Sequence, residues 1–142
     1  MKKSVNRIID ANINRAKEGL RVCEEIARFM LDDRGLTGQL KRIRHNIDTA
    51  ARHLPYSLRQ FIQARDSSKD IGRDIYANEL KRGGVGDIFF ANIQRCKESA
   101  RVLEEFSKLF SANPAKEFKK IRYAIYETEK KVIKKISALS DH

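Results

Sequence analysis

Two sets of residues in this sequence carry groups suited to phosphate chemistry. The first set occurs twice. Asn12, Arg15, Lys17, Glu18, Arg21, Val22, Glu24 and Glu25 recur as Asn92, Arg95, Lys97, Glu98, Arg101, Val102, Glu104 and Glu105, each pair 80 positions apart. A helix repeats its packing by repeating only its apolar pattern. Here the charges repeat as well, and packing does not require that. Arginines with acidic neighbours three or four positions away are suited to a planar, two-pronged grip on phosphate. The second set occurs once, in the stretch 64–75, where Arg65, Asp66, Lys69, Asp70 and Arg73 surround Gly72. Asp66 and Asp70 are the kind of carboxylates that magnesium takes one or two at a time, alongside water and phosphate oxygens.

The elements that position these groups are helices. The duplication continues downstream: Lys41-Arg42-Ile43-Arg44 is echoed by Lys119-Lys120-Ile121-Arg122, now 78 positions apart, as expected if the intervening turn is two residues shorter. The repeated unit is therefore a helix, a turn and a second helix. Two such αα-hairpins bury their apolar faces against each other. The expected fold is all-α, a pseudo-twofold four-helix bundle in one domain. Repeat one spans about 4–54, a connector 55–86 and repeat two about 87–139. Helix one is expected from about Ser4 to Leu31. Helix two begins near Thr37 as N-cap and stops before Pro55, and a short helix covers Ser57 to Gln63. Asp87 is read as the cap of helix three, which runs to about Phe110. Asn113-Pro114 opens helix four as cap and first-turn proline.

On helix one, Ile9, Ile13, Ala16, Leu20, Cys23, Ala27 and Met30 share one side at about 100° per residue. Asn12 falls inside that stripe, as Asn92 does in the second repeat. A polar amide there is either a hydrogen-bonded structural group or a group facing a ligand. Arg15, Glu18, Arg21 and Glu25 beside the stripe are either a solvated ladder of weak pairs or a phosphate-binding face. The stretch Lys81-Arg82-Gly83-Gly84-Val85-Gly86 either cradles an anion at a helix start or is a plain connector. It lacks the Gly-Lys-Ser/Thr of a P-loop. His45 stands alone beside Arg44, without the Cys or His spacing of a zinc site. Cys23 and Cys96 replace apolar residues in the repeat and are expected to be buried free thiols.

Composition agrees with a helical bundle. The 142 residues include only two prolines and seven glycines, and 35% are charged. The net charge is +11, which invites nucleic acid as a partner. However, the basic residues are interleaved with 19 acidic ones and aromatic side chains are few, so that reading is disfavoured. No run approaches the roughly 20 apolar residues of a membrane span, and no signal peptide is visible. The expectation is a soluble cytoplasmic protein.

The motifs also carry a resemblance. Residues 7–29, from Arg7-Ile-Ile-Asp-Ala-Asn to Ala-Arg-Phe29, resemble the opening of the small helical domain often fused ahead of thiamin phosphate synthase. The stretches Ala64–Gly72, Ala91–Phe106 and Ile121–Tyr126 resemble its later signatures, in the same order. The resemblance implies the stand-alone form, a monofunctional hydroxymethylpyrimidine phosphate kinase of thiamin synthesis. Such an enzyme uses Mg2+ with ATP as co-substrate, holds no tightly bound prosthetic group, and converts hydroxymethylpyrimidine phosphate to its diphosphate. Thiamin phosphate synthase is then a functional partner, and the exposed helix faces leave a homodimer open.

The site assignments follow from chemistry. Arg15, Arg21, Arg44, Arg95, Arg101 and Arg122 are expected to form a cationic lining. Asp66 and Asp70, with Glu18 or Glu98, are expected to hold magnesium. Asn12 and Asn92 read the pyrimidine or orient a phosphate, and Arg65, Asp66 and Asp70 sit at the reacting centre. The acceptor is itself an ionised phosphate, so no strong base is required. The rival reading is a non-enzymatic phosphate sensor or interaction module.

Overall fold

The computed structural model describes residues 2–55, 58–73 and 82–140. The described residues are helical, with no strand among them. Helix α1 spans Lys2–Glu25, α2 Arg34–Arg52, α3 Leu58–Ala64, α4 Val85–Ser107 and α5 Ala112–Ser140. A single 3-10 turn, Ser67–Lys69, follows α3. Ser57, Asp74, Ile75 and Lys81 of the expected elements lie outside the described residues.

Each long helix buries one stripe. Ile9, Ala16, Leu20 and Cys23 of α1 are fully buried, as are Leu40 and Ile47 of α2, Phe89, Ile93 and Leu103 of α4, and Phe118, Ile125 and Val132 of α5. Removing each large side chain from water contributes about 1.5–3 kcal/mol, so these stripes hold the helices together. Around the core the order is α1, α2, α5, α4, and α4 returns to pack on α1. Ion pairs set the directions. Lys17 meets Asp48 at 2.8 Å and Glu24 meets Arg44 at 3.0 Å, so α2 runs antiparallel to α1. Lys97 meets Glu129 at 2.9 Å and Glu104 meets Arg122 at 3.0 Å, so α5 runs antiparallel to α4. His53 with Glu117 and Asp33 with Lys135 tie opposite ends of α2 and α5. Helices α1 and α4 approach closely at Gly19. A Cβ there would stand 2.7 Å from Cys96 Sγ and 2.8 Å from the Asn92 carbonyl oxygen. Among the described residues, no helix is long and apolar enough to cross a membrane.

Helix ends depart from the expected boundaries for local reasons. The α-helical hydrogen bonding of α1 stops at Glu25 and continues as a π turn, Ile26–Met30. The wider turn shifts every later side chain around the axis. Met30, expected on the buried stripe, is consequently 55% exposed. Asp32 then takes a left-handed conformation, φ 51°, which an Asp tolerates better than most residues. The cap of α2 is Asp33 and not Thr37: its carboxylate accepts from Leu36 N at 2.9 Å. Thr37 lies one turn inside and donates to the Asp33 carbonyl. Helix α4 starts at Val85 with Gly84 as its cap. Asp87 falls in the first turn and accepts from Gly83 N instead of capping. Helix α4 ends at Ser107, three residues short of Phe110, and α5 opens at Ala112, so Asn113 and Pro114 lie inside its first turn.

Candidate functional site

Helix α3 packs against α1 and buries Phe61 and Ala64. That contact delivers the next residue, Arg65, to the flank of α1. Its guanidinium engages both oxygens of Asp10, Nε to Oδ2 at 2.8 Å and Nη2 to Oδ1 at 2.9 Å. Asp10 is 5% exposed, and its hydrogen bonds hold the Arg65 proton more firmly than in a free arginine. Asn14 completes the support. Its Nδ2 donates to the Asp10 carbonyl at 3.0 Å and to Asp10 Oδ1 at 3.3 Å.

The chain then folds into a tight turn. Asp66 caps the 3-10 segment, accepting from Ser68 Oγ at 3.1 Å and from Lys69 N at 3.3 Å. Asp70 accepts from Gly72 N at 2.8 Å. Between this turn and α1 lies an open cleft of about 680 Å3. Arg7, Arg15 and Arg65 supply its positive charge; Asp10, Glu18, Asp66 and Asp70 its negative charge; Asn12 and Asn14 its amides. Arg7, Arg15 and Glu18 are exposed and enter no ion pair among the described residues. They are therefore available to a ligand.

Asn12 is hydrogen-bonded within its helix and also borders the cleft. It is 5% exposed and donates through Nδ2 to the Ile8 carbonyl at 2.8 Å. Asn92 makes the same bond to Ile88, 2.8 Å, but is not a cleft residue.

Of the expected cationic lining, only Arg15 borders this cleft. Arg44 and Arg122 are tied to Glu24 and Glu104, whose side chains are 7% and 6% exposed. A buried carboxylate must keep a partner, because an uncompensated buried charge costs several kcal/mol. These two arginines are structural clasps between the helices of each half. Arg21 pairs with Glu25 at 3.2 Å and Arg101 with Glu105 at 3.0 Å, both along exposed helix faces. Glu98 accepts from Gln94 at 3.1 Å on α4, and Arg95 is exposed on the same helix. Neither borders the cleft.

No group of three or more His, Cys, Asp or Glu side chains among the described residues forms a metal cage. Asp66 and Asp70 suit a more modest role. Each uses Oδ1 within the turn, and Oδ2 of each carries no hydrogen bond among the described residues. Carboxylate oxygens of this kind are what a magnesium ion takes one or two at a time while keeping most of its water.

Of the charged and amide side chains lining the cleft, three escaped the sequence reading: Arg7, Asp10 and Asn14. The repeat draws attention to the positions its two halves share. These three correspond to Asp87, Phe90 and Gln94 in the second half, so nothing marked them. The available signal was Asn6, Asp10 and Asn14, a polar column at four-residue spacing along one edge of an apolar stripe.

Comparison with known proteins follows the same residues. The ThiD2 family model matches residues 7–131, most of the chain. The chain is 40% identical over 126 residues to a thiamine-phosphate synthase of Nostoc punctiforme, covering 88% of the chain and 34% of that protein. It is 37% identical over 139 residues to the thiamine-phosphate synthase of Rhodopirellula baltica, covering 97% of the chain and 36% of the relative. A Synechocystis thiamine-phosphate synthase is 37% identical over 127 residues, covering 89% of the chain and 35% of the relative. The chain thus spans about a third of the length of these relatives. No solved structure matches. With its sequence matched from Arg7 to Lys131, across all four long helices and the turn after α3, the chain belongs to the ThiD2 family.

Proposed function

We propose that this protein is a kinase of thiamin synthesis that phosphorylates hydroxymethylpyrimidine phosphate to the diphosphate with ATP. The observation that carries the reading is the convergence of Arg7, Arg15 and Arg65 with Asp66 and Asp70 on one open cleft. Membership of the ThiD2 family and the names of the relatives support the pathway.

Phosphoryl transfer between two anions needs charge neutralisation and alignment more than covalent help from the protein. Arg7 and Arg15, without an ion-pair partner among the described residues, take phosphate oxygens. Arg65, splinted by Asp10, offers its remaining N–H groups from a fixed position. Asp66 and Asp70 would hold magnesium brought by ATP, and the ion would supply positive charge beside the phosphates. A phosphate oxygen of the acceptor forms the new bond to the γ-phosphorus. The bond from that phosphorus to the bridging oxygen breaks, and the electron pair leaves with ADP. The acceptor oxygen is already ionised at neutral pH, so the cleft needs no His, Ser or Cys as base or nucleophile.

The direct test is to incubate the protein with Mg-ATP and hydroxymethylpyrimidine phosphate and to measure ADP and the diphosphate. Both are expected in equal amounts. Arg65→Ala and Asp66→Ala are each expected to lower turnover about 100-fold or more. ATP binding without ADP formation favours the sensor reading. Full turnover in both variants removes the turn from the mechanism.

A further inference from the structure

Asn12 has hydrogen-bonding capacity that the fold does not use. An asparagine amide has two N–H donors and one acceptor oxygen. The Ile8 carbonyl takes one N–H at 2.8 Å. The second N–H and Oδ1 have no partner among the described residues, although the side chain is nine-tenths buried. Oδ1 is also not sealed off: the buried side-chain atoms without a partner are Asn6 Oδ1 and Ser107 Oγ. Oδ1 therefore keeps some exposure, and Asn12 lines the cleft.

The bond to Ile8 also fixes the amide plane. A free asparagine on a surface turns its amide to suit water; this one is clamped in one orientation. Its neighbours in the cleft, Ile8 and Ala11, are apolar and partly buried. Arg7, Arg15 and Arg65 line the same cleft and supply positive charge for phosphate. A donor and an acceptor side by side on a fixed amide match an amidine edge, a ring nitrogen next to an exocyclic amino group. The same pairing lets asparagine recognise adenine in nucleic acids.

We propose that Asn12 reads the amidine edge of a 4-aminopyrimidine ring, Oδ1 accepting from the exocyclic amino group and Nδ2 donating to the ring nitrogen. The inference rests on the kinase reading for the identity of its ligands. Two ligands of that reaction carry this edge, the acceptor pyrimidine and the adenine of ATP. The cleft identifies the shared chemistry, and measurement separates the two sources.

The experiment measures binding by calorimetry on the whole protein. One pair of ligands is hydroxymethylpyrimidine phosphate and its 4-oxo counterpart; the other is ATP and ITP, in which the amino group is an oxo group. The oxo rings present an acceptor and a ring N–H, the reverse pattern. The wild-type protein is expected to prefer the amino member of one pair by about 10- to 100-fold. The pair that shows the preference identifies the ring. Asn12→Asp, whose carboxylate only accepts, is expected to erase or reverse it. Wild-type protein with no preference in either pair overturns the proposal, and that result needs no variant to fold. So does an Asn12→Asp protein of native helicity that keeps the wild-type preference.

Failure here is distinguishable from failure of the kinase reading. Selective binding of the amino ligand without ADP release overturns the kinase and leaves Asn12 as its reader. Phosphorylation of both acceptors at equal rates, with ATP and ITP equally good donors, overturns the Asn12 assignment and leaves the kinase.

Discussion

The Arg65 guanidinium and the Asp10 carboxylate form a two-pronged pair, at 2.8 and 2.9 Å, across 55 positions of chain. The pair joins the unrepeated turn to the first helix and so builds the cleft. Asp10 is buried and Arg65 partly open, so the two deletions should differ. Arg65→Ala leaves a buried carboxylate with only Asn14 as side-chain partner and is expected to cost about 1–3 kcal/mol. Removing Asp10 as well, as the double alanine, should cost clearly less than the two single losses added together. Urea unfolding of the four proteins measures this coupling, and strictly additive losses would show that the pair does not anchor the turn.

Gly19 is a point of close approach between α1 and α4. Alanine in a helix is ordinarily favoured over glycine by about 1 kcal/mol. At Gly19 the added methyl would meet the Asn92 carbonyl oxygen at 2.8 Å and Cys96 Sγ at 2.7 Å, and the backbone oxygen cannot step aside alone. Gly19→Ala is therefore expected to destabilise by about 1–3 kcal/mol. Gly38, inside α2 with nothing within 4 Å of a built Cβ, gives the opposite sign: Gly38→Ala should stabilise by about 0.5–1 kcal/mol. Thermal melts of the two variants give the comparison directly.

Both thiols should be inert in the folded protein. Burial pushes the Cys96 thiol up to about 12 and that of Cys23 higher still, so the reactive thiolate is scarce at neutral pH. Ellman's reagent is expected to find no fast thiol in native protein and two in denaturant. A fast native thiol would mean that the α1–α4 core opens readily.

Asp33 provides a pH test. Its carboxyl is held below the ordinary value, chiefly because the charged form accepts the Leu36 N–H, with Lys135 assisting. A depressed acid stabilises the fold above its unfolded value, and that contribution fades as pH falls through the folded one. Asp33→Ala is expected to cost about 1 kcal/mol near neutral pH, and Asp33→Asn less, because the amide oxygen still caps. Chemical denaturation from about pH 6 to about pH 2 should show the gap between wild type and Asp33→Asn closing as the acid protonates. A constant gap would assign Asp33 no linkage to folding.

Much of the fold was legible because helix formation is local. The apolar stripes of Ile9 to Cys23 and Phe89 to Leu103 repeat at helical spacing, and the all-α architecture follows from them. Ends were less legible, because capping depends on a single hydrogen bond. Asp33 and Thr37 are both good caps in isolation, and only the path of the chain out of the π turn selects Asp33. Met30 left the core for the same reason: one extra residue per turn is invisible to a fixed 100° spacing.

The site divides along a similar line. The sequence by itself determined a set of side chains with chemistry suited to phosphate, the doubled arginines, Asn12 and the Arg65–Asp70 stretch with its carboxylates, and it missed Arg7. Spacing places a residue around its own helix axis and says nothing of what lies opposite. The tertiary structure decided which charges the fold keeps for itself. It clasped Arg44 to Glu24 and Arg122 to Glu104, since a desolvated carboxylate cannot be left without a cation, and it left Arg7 and Arg15 open to the cleft. It also chose Asp10, a residue with no counterpart in the repeat, because α3 packs on α1 at the one place where Arg65 can reach it.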